Sequence, residues 1–196
     1  MFEKQTILLA THNTNKTKEY RELLNGYPYE IIDLNDIDFH LPIDEKYDTY
    51  HENARVKVEA VAKVYNGIIV GDDSGFEIAA LDYQPGVHSA RFLSHLSYPE
   101  KNDYIIKELE KHQDRSCAFV CALACFYDEK IWITVNRCFG EVAKKREEGH
   151  GFGFDPIFVP LGYTQPFSVL DPAIKNKISH RALAVQALIH YLENLP

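Results

Sequence analysis

The sequence predicts an α/β fold with a central mixed sheet flanked by helices, and three observations point to it. Short apolar runs of strand length alternate with segments whose apolar residues recur every three to four positions. Turn-forming pairs, Asn25-Gly26, Asn66-Gly67 and Pro85-Gly86, punctuate these segments. Two long strand-like runs in the second half are separated only by Asp128-Glu129-Lys130, as in a hairpin. A hairpin beside alternating strands and helices calls for a mixed sheet.

The elements follow in order. Thr6 to Ala10 reads as a first strand, followed by a polar turn and a helix from about Lys16 to Leu24 that Asn25-Gly26 stops. Tyr29 to Leu34 reads as a second strand. Asn35 to Asp48 is acidic and aperiodic, so a loop is expected there. Tyr50 to Tyr65 has Ala54, Val58, Val61, Ala62 and Tyr65 at helical spacing, and Asn66-Gly67 ends it. Ile68-Ile69-Val70 is an apolar strand that runs into Gly71-Asp72-Asp73-Ser74-Gly75, and Phe76 to Leu81 reads as a further strand. Ser97-Tyr98-Pro99-Glu100 joins a capping box to an early-helix proline, so a helix to about His112 should bury Ile105, Ile106 and Leu109. Ser116 to Tyr127 and Ile131 to Val142 form the expected hairpin, a second lobe or a dimer surface. Gly149 to Pro160 is read as a structured loop. Ser179 to Leu195 is read as one final amphipathic helix with Leu183, Leu188 and Leu192 inward.

A chain of 196 residues is expected to form one domain, or two lobes sharing one core. With 29 acidic against 21 basic residues, the net charge of −8 argues against a general nucleic-acid binder. A small polyanion remains compatible, because a few convergent cations suffice. Met1 to Gln5 carries both charge signs and Ile7 to Ala10 is too short for a secretory leader. No run approaches the ~20 apolar residues of a membrane span, so a soluble, cytoplasmic protein is expected. Cys117, Cys121 and Cys125 are spaced by four. On a strand that spacing separates them by roughly 13 Å at ~3.3 Å per residue, too far for one zinc. They are expected to be core thiols.

Four constellations could carry chemistry. Thr11-His12-Asn13-Thr14-Asn15-Lys16 joins a strand to a helix. Such a turn aims backbone N–H groups and the positive end of the helix dipole at an anion, and Lys16 adds a full charge. It contains no glycine and is not a Walker loop; an ordinary helix cap explains Thr and Asn equally well. Asp44, Glu45, Glu52, Asp72 and Asp73 form an acidic set. Mg²⁺ takes one or two carboxylates plus substrate phosphates, whereas surface charge explains Asp44 and Glu45. Strand alternation should point Asp72 and Asp73 to opposite faces. Gly151-Phe152-Gly153-Phe154-Asp155-Pro156 has the makings of a planar-ring clamp with one polar reader, or of a tight turn whose rings pack. Lys175-Asn176-Lys177-Ile178-Ser179-His180-Arg181 sets cations before and inside the last helix, where they oppose its dipole; a ligand could offset that cost, and a solvated basic turn is the plainer explanation.

Six stretches in order resemble the inosine triphosphate pyrophosphatase family. They are Ile7-Leu-Leu-Ala-Thr-His-Asn-Thr-Asn-Lys16, Glu52-Asn-Ala54, Gly71-Asp-Asp-Ser-Gly75, Pro85-Gly-Val-His-Ser-Ala-Arg91, Gly151-Phe-Gly-Phe-Asp-Pro156 and Ser179-His-Arg181. The resemblance implies an elongated two-lobed α/β fold with a ligand cleft between the lobes, formed by residues 1–196 as a single pyrophosphatase domain. It implies Mg²⁺-dependent hydrolysis of ITP, dITP and XTP to monophosphate and pyrophosphate, in a cytoplasmic homodimer that needs neither nucleic acid nor membrane. Thr11, His12, Asn13, Thr14, Asn15 and Lys16 would hold the triphosphate. Asp73 would be general base and metal ligand, with Glu45 or its neighbour Asp44 as the second metal acid. Ser74, Phe152, Gly153, Phe154, Asp155, Lys175, His180 and Arg181 would touch substrate. Donors such as Arg181 and His180 suit the purine 6-oxygen. A non-catalytic nucleotide sensor and a phosphotransferase are the rival readings. Four positions depart from the family pattern: Asp82-Tyr83 replaces a frequent glycine pair, Phe154 a frequent Tyr or Trp, and Ile174 a frequent Glu.

Overall fold

The computed structural model describes residues 4–40 and 43–195. Parts of two expected segments, Met1 to Glu3 of the N-terminal start and Leu41-Pro42 of the acidic loop, lie outside the described residues. The chain opens with β1 (Gln5–Leu9), α1 (Thr14–Leu23), β2 (Tyr29–Asp33), α2 (Tyr50–Val61) and β3 (Ile68–Ile78). It continues with β4 (Pro85–Gly86), α3 (Tyr98–Glu108), β5 (Ser116–Tyr127) and β6 (Lys130–Val142). β7 (Phe158–Pro160), α4 (Pro172–Ile178) and α5 (His180–Glu193) complete it. The strand order is β2-β1-β3-β5-β6-β7, with β4 paired to β3. β1 pairs in parallel with β2 and β3, whereas β3–β4 and β6–β7 are antiparallel, so the sheet is mixed as expected.

The chain divides into two compact units. The first comprises the described residues as far as Asp73, then Cys121–Asn136, then those from Arg181 onward. Its core joins Ile7 and Leu9 of β1, Tyr20 of α1, Ile68 and Val70 of β3, Leu123 of β5, and Val185, Leu188 and Leu192 of α5. The second comprises Ser74–Val120 and Arg137–His180. Its core is aromatic, built on Phe76, Phe119, Phe154, Phe158 and Phe167 with Ile105 and Leu109 of α3. No helix among the described residues is long and apolar enough to cross a membrane.

Three readings need correction. Gly71 to Gly75 does not separate two strands: β3 runs unbroken from Ile68 to Ile78, and Asp72 and Asp73 lie inside it. Gly71 supplies close approach instead of a bend. A Cβ there would lie 2.5 Å from the Ala54 carbonyl of α2, so only glycine lets strand and helix meet. The expected strand to Leu81 ends at Ile78, and Ala79–Leu81 is a 3₁₀ turn. The final helix forms as expected, α5 following an extended Ser179 (ψ 156°), but the basic stretch before it belongs to a helix of its own, α4. Lys175 and Lys177 therefore sit in the last turn of α4, where cations complement the dipole rather than oppose it. The capping box is present: Ser97 and Glu100 open α3 with Pro99 in its first turn.

All four cysteines are buried free thiols. Burial pushes Cys125 and Cys138 up to about 12, and Cys117 higher still. Asp82 and Tyr83, at the frequent glycine pair, both adopt left-handed backbone with φ of 51° and 61°.

Candidate active site

In the first unit, the turn after β1 is shaped by its own side chains. Asn13 caps α1, its Oδ1 accepting from the Asn15 and Lys16 N–H groups at 3.0 and 3.3 Å. The Asn13 N–H in turn donates to Thr11 Oγ1 at 3.1 Å. The cap therefore already takes two of the N–H groups that an anion could use. His12 Nδ1 lies 3.0 Å from Asn35 Oδ1, outside this turn. Thr14 and Asn15 are exposed in the first turn of α1. Lys16 reaches inward, donating to the Asp72 carboxylate at 2.5 Å and to its backbone carbonyl at 3.2 Å.

Asp72 is the hub of this unit and is 3% exposed. Its Oδ2 accepts from Arg181 Nε at 2.9 Å, Tyr20 OH at 3.1 Å and Cys121 Sγ at 3.5 Å. Arg181, 2% exposed, also pairs with Glu19. Burial alone would raise the Asp72 carboxyl, but the Arg181 guanidinium and the Lys16 ammonium hold it well below the usual carboxylate range. The cost of placing Arg181 at a helix N-terminus is offset inside the protein by Asp72 and Glu19.

Asp73, next on the strand, meets a different set. Lys57 of α2 pairs with Asp73 Oδ1 at 3.1 Å and with Glu45 Oε2 at 2.7 Å, and donates to the Asp72 carbonyl at 2.9 Å. Asn53 Nδ2 lies 3.4 Å from Asp73 Oδ2. Asn53 also clasps Tyr47 through both its N–H and its carbonyl, at 3.1 and 2.9 Å, which pins the loop carrying Glu45. Asp44 instead pairs with Lys46 in solvent. Burial raises the Asp73 carboxyl, Lys57 and Lys16 counteract it, and Glu45 adds to the rise; the net direction is up. Burial would lower Lys57, but Asp73 and Glu45 hold it above its ordinary value.

The second unit holds a separate set. Gly151 and Gly153 lie in the left-handed region, with φ of 82° and 66°. A Cβ on Gly151 would lie 2.1 Å from Asp155 Oδ2, so the turn demands glycine. That same oxygen accepts from the Phe152 N–H at 2.8 Å and from Lys175 Nζ at 2.6 Å. The Lys175 ammonium also stands over the Phe152 and Phe167 rings, 5.2 and 5.8 Å from their centroids. Phe154 is buried, stacked on Phe76 at 5.0 Å, so its ring belongs to the core and not to a two-ring clamp. The His180 ring is buried against Phe119 at 4.8 Å, and Ser74 is half-buried on β3.

The expected residues thus fall into two groups, each drawn together within its own unit: Lys16, Glu45, Asp73 and Arg181 in the first, and Phe152, Asp155, Lys175 and His180 in the second. The sequence reading missed Lys57 and Asn53. Their signal was present: they stand four apart on α2, and Lys57 falls on the stripe of Ala54, Val58 and Val61, where a charge needs a buried partner. Among the described residues no group of three or more His, Cys, Asp or Glu is poised for a metal.

Fold and site together define a mixed-sheet α/β protein in which a helix-capping turn delivers a lysine to two adjacent buried acids. The chain belongs to the Ham1 family, whose model matches residues 7–191. It is 37% identical over 194 residues to a dITP/XTP pyrophosphatase of Oceanobacillus iheyensis, covering 96% of this chain and 98% of that one. It is 39% identical over 196 residues to a dITP/XTP pyrophosphatase of Methylacidiphilum infernorum, covering 97% and 96%. The solved structure of a HAM1 protein from Coxiella burnetii superposes with a TM-score of 0.86 at 32% identity, covering 97% of this chain and all of that one.

Proposed function

We propose that this protein hydrolyses deaminated purine nucleoside triphosphates (ITP, dITP and XTP) to the nucleoside monophosphate and pyrophosphate, cleansing the nucleotide pool. The observation that carries the reading is Asp73, a buried carboxylate whose raised pKa suits a general base, with Glu45 directed to the same ammonium. The names of its relatives support the substrate class. The family match over residues 7–191 supports residues 1–196 acting as a single pyrophosphatase domain.

The donor set fits Mg²⁺. Glu45 and Asp73 both converge on one cation, the Lys57 ammonium, and offer only hard oxygen ligands. Glu45 and Asp73 would hold the ion, which supplies neutralisation of phosphate charge and acidification of bound water. Lys16 binds the phosphates in this reading, with the Thr11 to Asn15 turn around them. Asp73 takes the proton of a water whose oxygen bonds to the α-phosphorus. The bond from that phosphorus to the bridging oxygen breaks, and pyrophosphate leaves. Lys57 keeps Asp73 ionised and spaced from Glu45. Lys175 and the Phe152 to Asp155 segment contact the base, with Ser74 and His180 as further substrate contacts. Arg181 acts by holding Asp72, and through it Lys16. The resemblance supports a cytoplasmic homodimer.

Incubation with ITP and Mg²⁺, with pyrophosphate measured separately from orthophosphate, tests the reading. Pyrophosphate alone is expected. No turnover would mean a sensor, and orthophosphate or a phosphorylated acceptor would mean a phosphotransferase.

A further inference from the structure

The turn from Gly151 to Phe154 is held on one side by Asp155. Its other hold comes from the first turns of α3. Asn102 is 1% exposed, and its Nδ2 donates to the Gly153 carbonyl at 3.1 Å. Its Oδ1 is buried and has no hydrogen-bond partner among the described residues. The ring of Tyr98, one helical turn earlier, lies 3.6 Å from where a Gly153 Cβ would stand and meets Phe154 edge-on at 5.5 Å. Lys101, buried although cationic, places its ammonium 4.7 Å from the Tyr98 ring centroid and fixes that ring.

A buried amide with an unused acceptor is a poor way to fill space. A leucine of the same branched shape would bury no polar side-chain atom, at the loss of the donor to Gly153. Asn is also a weak helix former. What the position gains is the bond to Gly153. That bond acts where the chain is least constrained: with φ of 66°, Gly153 has no side chain to hold its peptide planes. Asp155 fixes the Phe152 N–H before it, and Asn102 fixes the carbonyl after it.

We propose that Asn102 is a positioning residue that sets the Gly151–Phe154 turn for nucleobase binding, through its hydrogen bond to the Gly153 carbonyl. The proposal rests on the reading of that turn as the base-contacting segment. Removing the bond loosens the turn before the base arrives, so the loss falls on binding and not on the chemical step.

The test uses the full chain, with Asn102→Leu and Asn102→Asp beside the wild type. For both variants KM for ITP should rise roughly 5- to 10-fold while kcat stays within about 2-fold, the loss of one neutral hydrogen bond. The urea midpoint of Asn102→Leu should equal or exceed that of the wild type, whereas a merely structural role would lower it and spare KM. Asn102→Asp keeps the shape, loses the donor, and regains one when its carboxyl is protonated. Its calorimetric affinity for inosine monophosphate should therefore approach the wild-type value as pH falls. Amide exchange at Gly153 and Phe154 should quicken in both variants at neutral pH. If the wild type releases pyrophosphate from ITP and both variants keep its KM, the proposal is overturned and the functional reading stands. If the wild type leaves ITP intact, the functional reading fails and takes the nucleobase role of Asn102 with it, whatever amide exchange shows of the turn.

Discussion

Asp72 and Asp73 are neighbours on one strand, 3% and 7% exposed, yet their electrostatics are opposite. Asp72 meets a guanidinium, an ammonium and a phenol, and its carboxyl is held far below the ordinary range. Asp73 shares its nearest cation, Lys57, with a second acid, and its carboxyl is raised. Burial is common to both. What differs is the ratio of cations to anions on the face each one points to. A strand separates those faces by one residue, so an anchor and a reactive acid can stand side by side. The pH consequences also differ in sign. Asp72 contributes stability that is full above the unfolded carboxylate range and is lost as pH falls through its depressed folded-state value. Asp73 costs stability increasingly as pH rises from its unfolded value through its raised folded-state one.

The comparison breaks most visibly at Asp72. Asp72→Ala leaves the buried Arg181 and the half-buried Lys16 without their shared anion and should destabilise the protein by about 3–5 kcal/mol in urea unfolding. Asp73→Asn should lower kcat on the order of 10²-fold or more while leaving the urea midpoint unchanged or higher at neutral pH, since it removes a disfavoured charge. Equal effects of the two substitutions on stability would erase the distinction between anchor and base. Lys57→Met should raise Asp73 further. Its turnover, followed from pH 5 to 9, should therefore fall by about 10-fold at the acid end and recover as pH rises. Glu45→Gln should raise the Mg²⁺ concentration needed for half-maximal rate by roughly 10-fold or more, whereas Asp44→Asn should leave it unchanged, because only Glu45 faces the Asp73 side of Lys57. The smallest effect lies away from both acids. Tyr83→Gly removes a side chain from left-handed backbone and should stabilise by about 0.5–1 kcal/mol, read as a higher urea midpoint with unaltered kcat/KM.

Local chemistry made much of this legible. The capping box at Ser97, the hairpin around Asp128 and the helical stripe of α2 each have a period or a cap that survives in the fold. Three features resisted for physical reasons. Gly71 to Gly75 has turn composition, but the glycine answers to a helix backbone 2.5 Å from its missing Cβ, and no strand period shows that contact. Pro172 to Ile178 is too short for a helical period to show, so α4 stayed hidden in the basic stretch before Ser179. Phe154 has the same type and spacing whether it faces a ligand or the core, and only the position of Phe76 decides. At the site, Lys16 and Asp73 were legible as charges that need partners. The partners themselves, Arg181 for Asp72 and Lys57 for Asp73, lie 109 and 16 residues away and are joined by the sheet, not by the sequence.

The four thiols have a practical side. Each is enclosed by the core, and burial keeps three of them protonated well into alkaline solution, so alkylating reagents find almost no thiolate to attack. A cysteine introduced on an exposed helix position, such as Lys18 of α1, would be the one fast-reacting sulfur on the native protein. A fluorophore or spin label could then be attached there without first deleting the natural cysteines. Delayed labelling of the native four would serve in turn as a clock for unfolding.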